Sequence, residues 1–197
     1  QTSRVIVMSH LGRPKEGDTK TLSLAPVGEV LASHLKREVI LIDSYKEDGI
    51  KQILNELGQG LFLLENLRFH SEEKANEHEF AAKLAEGMDF YVNDAFGACH
   101  RLHTSVVELA KQFPFDRRVA GPLIQKEVKA LDKIRKTAEF PFCVLLGGSK
   151  VSDKISVILS LLESCTDLLI GGAMAYTFMH YDGLSTGSSL VEHGALD

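Results

Sequence analysis

The sequence predicts an α/β fold with parallel sheets, on three observations. Short apolar runs alternate along the chain with segments of helical periodicity. Two of those runs, Phe142–Leu146 and Leu168–Ile170, end in glycine pairs that lead into helices, as strand–turn–helix units do. Polar loops rich in arginine and histidine come after three other runs, where the carboxyl ends of parallel strands form ligand crevices.

Taken in order, Arg4–Met8 reads as a strand. A helix comes next, with Ser23 as N-cap, Pro26 in its first turn, and Val27, Val30, Leu31 and Leu35 on its buried face. Val39–Ile42 is the next strand, then a helix from about Asp48 to Leu57 and the strand Leu61–Leu64. Ser71 with the acids after it caps a helix that runs through Ala85, with Glu72, Glu73, Glu77 and Glu79 as a solvated acidic face. Phe90–Val92 is a strand and Ser105–Lys111 a short helix. Pro122–Thr137, with Leu123, Val128, Leu131 and Ile134 as apolar markers, is a connecting helix. A second unit then begins: strand Phe142–Leu146, a helix Val151–Leu162 whose Val151, Ile155, Ile158, Leu159 and Leu162 share one face, strand Leu168–Ile170, and a helix from Ala173. Met174, Tyr176 and Phe178 are expected in the core. This organises the chain as 1–121, a linking helix 122–138, and 139–197. The strand that begins almost at once and the stop beyond Gly187 suggest the middle of a longer chain.

Composition narrows the function. With 44% hydrophobic and 25% charged residues, the 197-residue chain is that of a globular protein. A net charge of −5 and no Lys/Arg block argue against nucleic acid or an acidic membrane surface as partner. The sequence contains no apolar run long enough to span a membrane. Cys99, Cys143 and Cys165 lack metal-ligand spacing and suit free thiols in a reducing compartment, so a cytoplasmic location is expected. No nucleophile elbow, P-loop or dinucleotide fingerprint is present.

The loops at the strand ends carry the chemistry. Ser9-His10-Leu11-Gly12-Arg13-Pro14, Glu65-Asn66-Leu67-Arg68-Phe69-His70 and Asn93–Arg101 bring Arg13, Arg68 and Arg101, with His10 and His100, to one rim. Guanidiniums fit carboxylate or phosphate bidentately, and three together suit a small phosphorylated acid. Glu65 and Asp94 are read as groups that orient them. His34, His78, His103, His180 and His193 are read as surface or capping residues, and His70 as preceding the Ser71 helix start. In the second unit, Gly147-Gly148-Ser149-Lys150 and Lys154 open a helix, where unpaired N–H groups and lysines suit phosphate. For that stretch alone, two solvated lysines after an ordinary turn remain an equal reading. Gly171-Gly172 repeats the theme.

Together these motifs, Ser-His-Leu-Gly-Arg-Pro, Leu-Leu-Glu-Asn-Leu-Arg-Phe, Asn-Asp-Ala-Phe-Gly-Ala-Cys-His-Arg, Leu-Gly-Gly-Ser-Lys-Val-Ser-Asp-Lys-Ile and Ile-Gly-Gly-Ala-Met-Ala-Tyr-Thr-Phe, resemble phosphoglycerate kinase. The resemblance implies two Rossmann-like three-layer domains with parallel sheets joined by a helix, both incomplete in this chain. It implies transfer of a phosphoryl group between 1,3-bisphosphoglycerate and ADP in glycolysis, with Mg2+ carried on the nucleotide, by a monomer. His10, Leu11, Gly12, Arg13, Arg68, His100 and Arg101 correspond to the phosphoglycerate side. Gly148, Ser149, Lys150, Lys154 and Gly172 correspond to the nucleotide side, and Lys150 to the lysine that meets the moving phosphoryl group. Ser149 and Ala173 stand where the family usually has alanine and glycine. The family's first strand, with Asp and Asn contacts and a nearby arginine, would precede Gln1; the adenine-side loops and a metal-binding aspartate would come after Asp197. This portion alone is therefore expected to be inactive, and a noncatalytic anion- or nucleotide-binding relative is the alternative.

Overall fold

The computed structural model describes residues 4–15, 21–45, 50–137 and 139–195, with 135–137 as backbone. The chain divides into two compact units, Gln1–Lys126 and Glu127–Asp197, a division that falls within the linking helix.

In the first unit, β1 (Val5–Val7), β3 (Leu61–Leu64) and β2 (Ile40–Ile42) form a parallel sheet in the order β1-β3-β2, with Val5 opposite Leu61 and Ile40 opposite Phe62. All four residues of central β3 are buried, as a strand covered on both faces requires. β4 (Tyr91–Asn93) pairs in parallel with β5 (Arg118–Ala120). This last strand has no counterpart in the sequence reading, because three exposed residues, the first of them an arginine preceded by another, carry no apolar period.

The helix α1 (Ala25–Leu35) corrects two expectations. Leu24 occupies the N-cap position, although Ser23 Oγ still accepts the Ala25 N–H at 3.1 Å. Most of the expected buried face is not buried: Val27, Val30 and Leu35 are exposed, Val30 at 57%, Leu31 is half-buried, and Gly28 is the buried position. The helix meets the sheet where it has no side chain, since a Cβ on Gly28 would stand 3.3 Å from Leu63. In α2 (Ile50–Leu57), Ile50 and Leu54 are buried; the expected start at Asp48 lies outside the described residues.

The expected helix from Ser71 to Ala85 is two helices, α3 (Ser71–Ala75) and α4 (His78–Ala85), and His70 rather than Ser71 occupies the N-cap position of the first, with Ser71 already inside it. Asn76 turns left-handed at φ 55, a conformation asparagine tolerates, and ends the first. Thr104 fills the break: its hydroxyl donates to Glu72 O at 2.7 Å and accepts the Glu77 N–H at 2.8 Å. The acidic face is not uniformly solvated either, because Glu73 is 2% exposed. α5 (Glu108–Lys111) is shorter than expected. Phe62, Leu64, Leu54, Phe80, Leu84 and Leu109 anchor the core of this unit, each full burial contributing about 1.5–3 kcal/mol.

α6 (Pro122–Thr137) has the expected bounds, and Leu123, Val128, Leu131 and Ile134 lie exposed on it. In the second unit, β6 (Cys143–Gly147) and β7 (Asp167–Gly171) pair in parallel, which brings Gly147 level with Gly171. α7 (Ile155–Leu162) starts four residues later than expected. Val151 packs ahead of the helix, and of the expected face Ile158 is buried while Ile155, Leu159 and Leu162 stay exposed, since a two-stranded sheet covers little of the stripe. α8 (Met174–Tyr181) buries Met174 completely, whereas Tyr176 and Phe178, expected in the core, are exposed.

Candidate active site

In the first unit the site grows from Asn66, which is fully buried after β3. Its Oδ1 accepts the Arg68 N–H at 3.1 Å, and its Nδ2 donates to Leu11 O at 2.8 Å and Leu22 O at 2.9 Å. One side chain thus ties the loop after β1 to the turn that carries Arg68. Gly12 has φ +61, and a Cβ there would lie 2.8 Å from Leu22, so the loop needs glycine twice over. Leu11 and Gly12 take part through their carbonyls: Gly12 O accepts from Arg68 Nη1 at 2.6 Å.

Arg68 is 8% exposed, and its Nε and Nη2 are buried without a partner among the described residues. Burial first, then Arg101 and Arg13 close by, draws its pKa below the ordinary value, yet a guanidinium remains charged. A buried donor left unpaired costs about 1–3 kcal/mol. The arrangement therefore favours an anion.

His10 is held below its usual pKa by burial, then by Arg68, Arg101 and His103. His103 is lowered by burial and by Arg68, Arg101, Lys74 and His100. It belongs to the cluster, contrary to its reading as a surface residue. The signal for it was present: it stands two positions after Arg101. His100 is exposed at the rim. His70 packs its ring 4.9 Å from Tyr45 and 5.3 Å from Phe80 and serves the core.

Glu65 and Asp94 do not orient the arginines. Glu65 Oε1 accepts the N–H of Leu24 and of Asn66, both at 2.7 Å, and Oε2 accepts from Ser23 Oγ, so it closes the start of α1. Asp94 Oδ1 accepts the Leu123 N–H at 2.7 Å and the Ile124 N–H at 3.2 Å, capping α6. Gly121 is required there, since a Cβ would collide with the Asp94 side chain.

In the second unit the glycine pairs interlock. Gly148 O accepts the Met174 N–H at 2.9 Å, and Gly172 has φ +67 with a hypothetical Cβ only 3.0 Å from Gly148 O. Ser149, Lys150 and Lys154 are exposed. Lys154 is the N-cap residue of α7, and Lys150 precedes the helix in the turn. Two of the turn's N–H groups are taken: Glu192 Oε2 accepts those of Val151 at 2.7 Å and Ser152 at 3.1 Å, while Oε1 accepts from Ser152 Oγ. Those bonds, chiefly Ser152's, with Lys150 nearby, hold the carboxyl below its ordinary range. Glu192 N–H donates in turn to Thr177 Oγ1, on the buried side of α8, at 3.1 Å. Nothing in the sequence signalled Glu192, which lies some forty positions from the turn it holds.

Comparison with known proteins decides the family. The family model described as phosphoglycerate kinase matches residues 1–197. The chain belongs to the phosphoglycerate kinase family. The phosphoglycerate kinase of Anaeromyxobacter sp. (strain Fw109-5) is 46% identical over 198 residues, covering 99% of this chain and 50% of the relative. That of Microcystis aeruginosa (strain NIES-843 / IAM M-2473) is 45% identical, covering 99% and 48%. Among solved structures, phosphoglycerate kinase from Coxiella burnetii superposes with a TM-score of 0.78 at 38% identity, over 100% of this chain and 49% of that one. The enzyme from Pyrococcus horikoshii OT3 gives 0.76 at 31%, over 94% and 47%. The chain spans about half the length of these relatives. Its architecture is the α/β, Rossmann-like one expected of phosphoglycerate kinases.

Proposed function

We propose that the chain is part of a phosphotransferase that moves a phosphoryl group between 1,3-bisphosphoglycerate and ADP, giving 3-phosphoglycerate and ATP in glycolysis. The observation that carries this reading is the buried Arg68 guanidinium, with Nε and Nη2 unpartnered among the described residues, beside Arg13, Arg101 and His10. A ligand with a phosphate and a carboxylate supplies the missing acceptors. In this reading His10, Arg13, Arg68, His100 and Arg101 hold the phosphoglycerate, and Leu11 and Gly12 shape the loop through their backbone.

The second unit takes the nucleotide. The close fit of Gly172 on Gly148 supports an approach of phosphate to bare backbone, and Ser149 and Lys154 flank it. Lys150 neutralises charge that builds on the phosphoryl oxygens in flight, the main demand of such a transfer. Because Glu192 takes the Val151 and Ser152 N–H groups, the phosphate contacts fall to the lysines and glycines. Mg2+ would travel on the nucleotide and neutralise phosphate charge; among the described residues no group of three or more His, Cys, Asp or Glu could hold it, and no step is routed through it. Among those residues, too, no helix is long and apolar enough to cross a membrane. The cytoplasmic setting rests on the cysteine composition, and the monomeric state on the family resemblance.

The test is a coupled phosphotransfer assay on the full-length protein. ADP-dependent consumption of 1,3-bisphosphoglycerate supports the proposal, and none under conditions where the protein is folded contradicts it.

A further inference from the structure

Glu73 is a deeply buried acid that the proposed reaction does not use. Its Oε2 accepts the Ser105 N–H at 2.9 Å and its Oε1 is bonded to Ser105 Oγ at 2.6 Å, so both oxygens are engaged by one residue. Its main-chain carbonyl accepts the Thr104 N–H at 2.8 Å, and Tyr91 OH donates to Ser105 O at 2.8 Å from the other side. The loop that carries Arg101 and His103 is thus pinned just beyond those residues. Glu73 Oε1 also stands 3.6 Å from His103 Nδ1. Burying a carboxylate is costly unless it is compensated, and among the described residues no arginine or lysine pairs directly with Glu73. Burial draws its carboxyl above the ordinary range, and the two Ser105 bonds first, then the Arg68 guanidinium, act against that.

We propose that Glu73 is the positioning residue and internal counter-charge of the arginine cluster: it fixes the Thr104–Ser105 segment so that Arg101 and His103 stand beside Arg68, and it supports a proton on His103 when an anion fills the cluster. The inference rests on the reading of the cluster as an anion site. The groups acting on His103 are Glu73 and Lys74 from α3, Arg68 from the turn after β3, His10 from the loop after β1, and Arg101 and His100 from its own loop. Those acting on or acted on by Glu73 are Arg68, His103, Tyr45 and Tyr91. Without an anion the cations oppose a proton on His103, and among the described residues Glu73 is the acid that stands at its ring to favour one. A bound dianion reverses that balance, so binding takes up a proton, with Nδ1–H facing Glu73.

The test is an NMR titration of the His103 imidazole in the full-length protein, assigned with His103→Gln, without ligand, with inorganic phosphate and with 3-phosphoglycerate. The unliganded midpoint is expected below the ordinary 6.5, and either anion should raise it. Glu73→Gln should lower the unliganded midpoint further and shrink the rise. If phosphate raises the midpoint and 3-phosphoglycerate does not, the inference stands and the substrate reading fails. Wild-type midpoints in Glu73→Gln overturn the inference whatever the substrate. Should that variant not fold, Ser105→Ala keeps the charge and removes one tether. It should weaken 3-phosphoglycerate binding severalfold with ADP binding unchanged, and wild-type affinity for both would overturn the positioning role.

Discussion

At the scale of residues, the proposal divides labour between Lys150 and Lys154, and the division has kinetic consequences. Lys150→Ala in the full-length protein should lower turnover by about 10²–10³-fold with little change in nucleotide affinity, because the lost interaction is strongest in the transition state. Lys154→Ala should raise the nucleotide dissociation constant as well. Lys150→Arg should not rescue, since a planar fork does not replace a point charge beside tightly packed glycine backbone. Steady-state kinetics with direct ADP titration checks all three, and near-normal turnover in Lys150→Ala would return the lysines to ordinary surface residues. The arginines were legible because guanidiniums after parallel strands stand out in an acidic chain. Glu65, Asp94 and Glu73 were misread because their partners are backbone N–H groups or a serine, which a sequence does not display. Glu192 was invisible for the same reason, and it takes two amides of the turn before α7 that the sequence had placed at the helix start and suggested for phosphate.

Among elements, strands and the linking helix were largely legible, because their signals are apolar runs with Gly or Pro at the ends. Helix faces were not: α1 meets the sheet through Gly28, and α7 buries Ile158 but leaves Leu159 out, choices made by sheet geometry rather than by period. The single helix expected from Ser71 breaks at Asn76 because Thr104, distant in sequence, satisfies the freed backbone groups. Two substitutions test the elements. Asp94→Ala removes the cap of α6 and should destabilise by about 1 kcal/mol, read as a lower urea midpoint. Gly172→Ala adds a Cβ at φ +67 against Gly148 O and should cost about 1–3 kcal/mol while weakening ADP binding and sparing 3-phosphoglycerate binding. Equal loss of both ligands would contradict the assignment of the glycine pairs to the nucleotide.

At the scale of the molecule, the clustered charge makes stability depend on pH. His10 and His103 have folded pKa values depressed below the ordinary 6.5, so the unfolded chain takes protons first as pH falls. Their contribution is complete above that value and is lost as pH drops through the folded values. The urea midpoint should therefore fall below about pH 6.5, less steeply in the His10→Gln/His103→Gln double variant and less steeply with added phosphate; an identical slope in wild type and variant would contradict the cluster's electrostatics. The claim on which the functional reading turns is that this cluster is the seat of the phosphorylated acid. It is tested most directly by calorimetric titration of full-length wild type and Arg68→Ala with 3-phosphoglycerate, using ADP as the internal control. Loss of a charge-assisted contact worth about 1.5–3 kcal/mol predicts 3-phosphoglycerate binding weaker by about 10- to 150-fold, with ADP binding unchanged; unaltered 3-phosphoglycerate affinity, or equal weakening of both ligands, would contradict it.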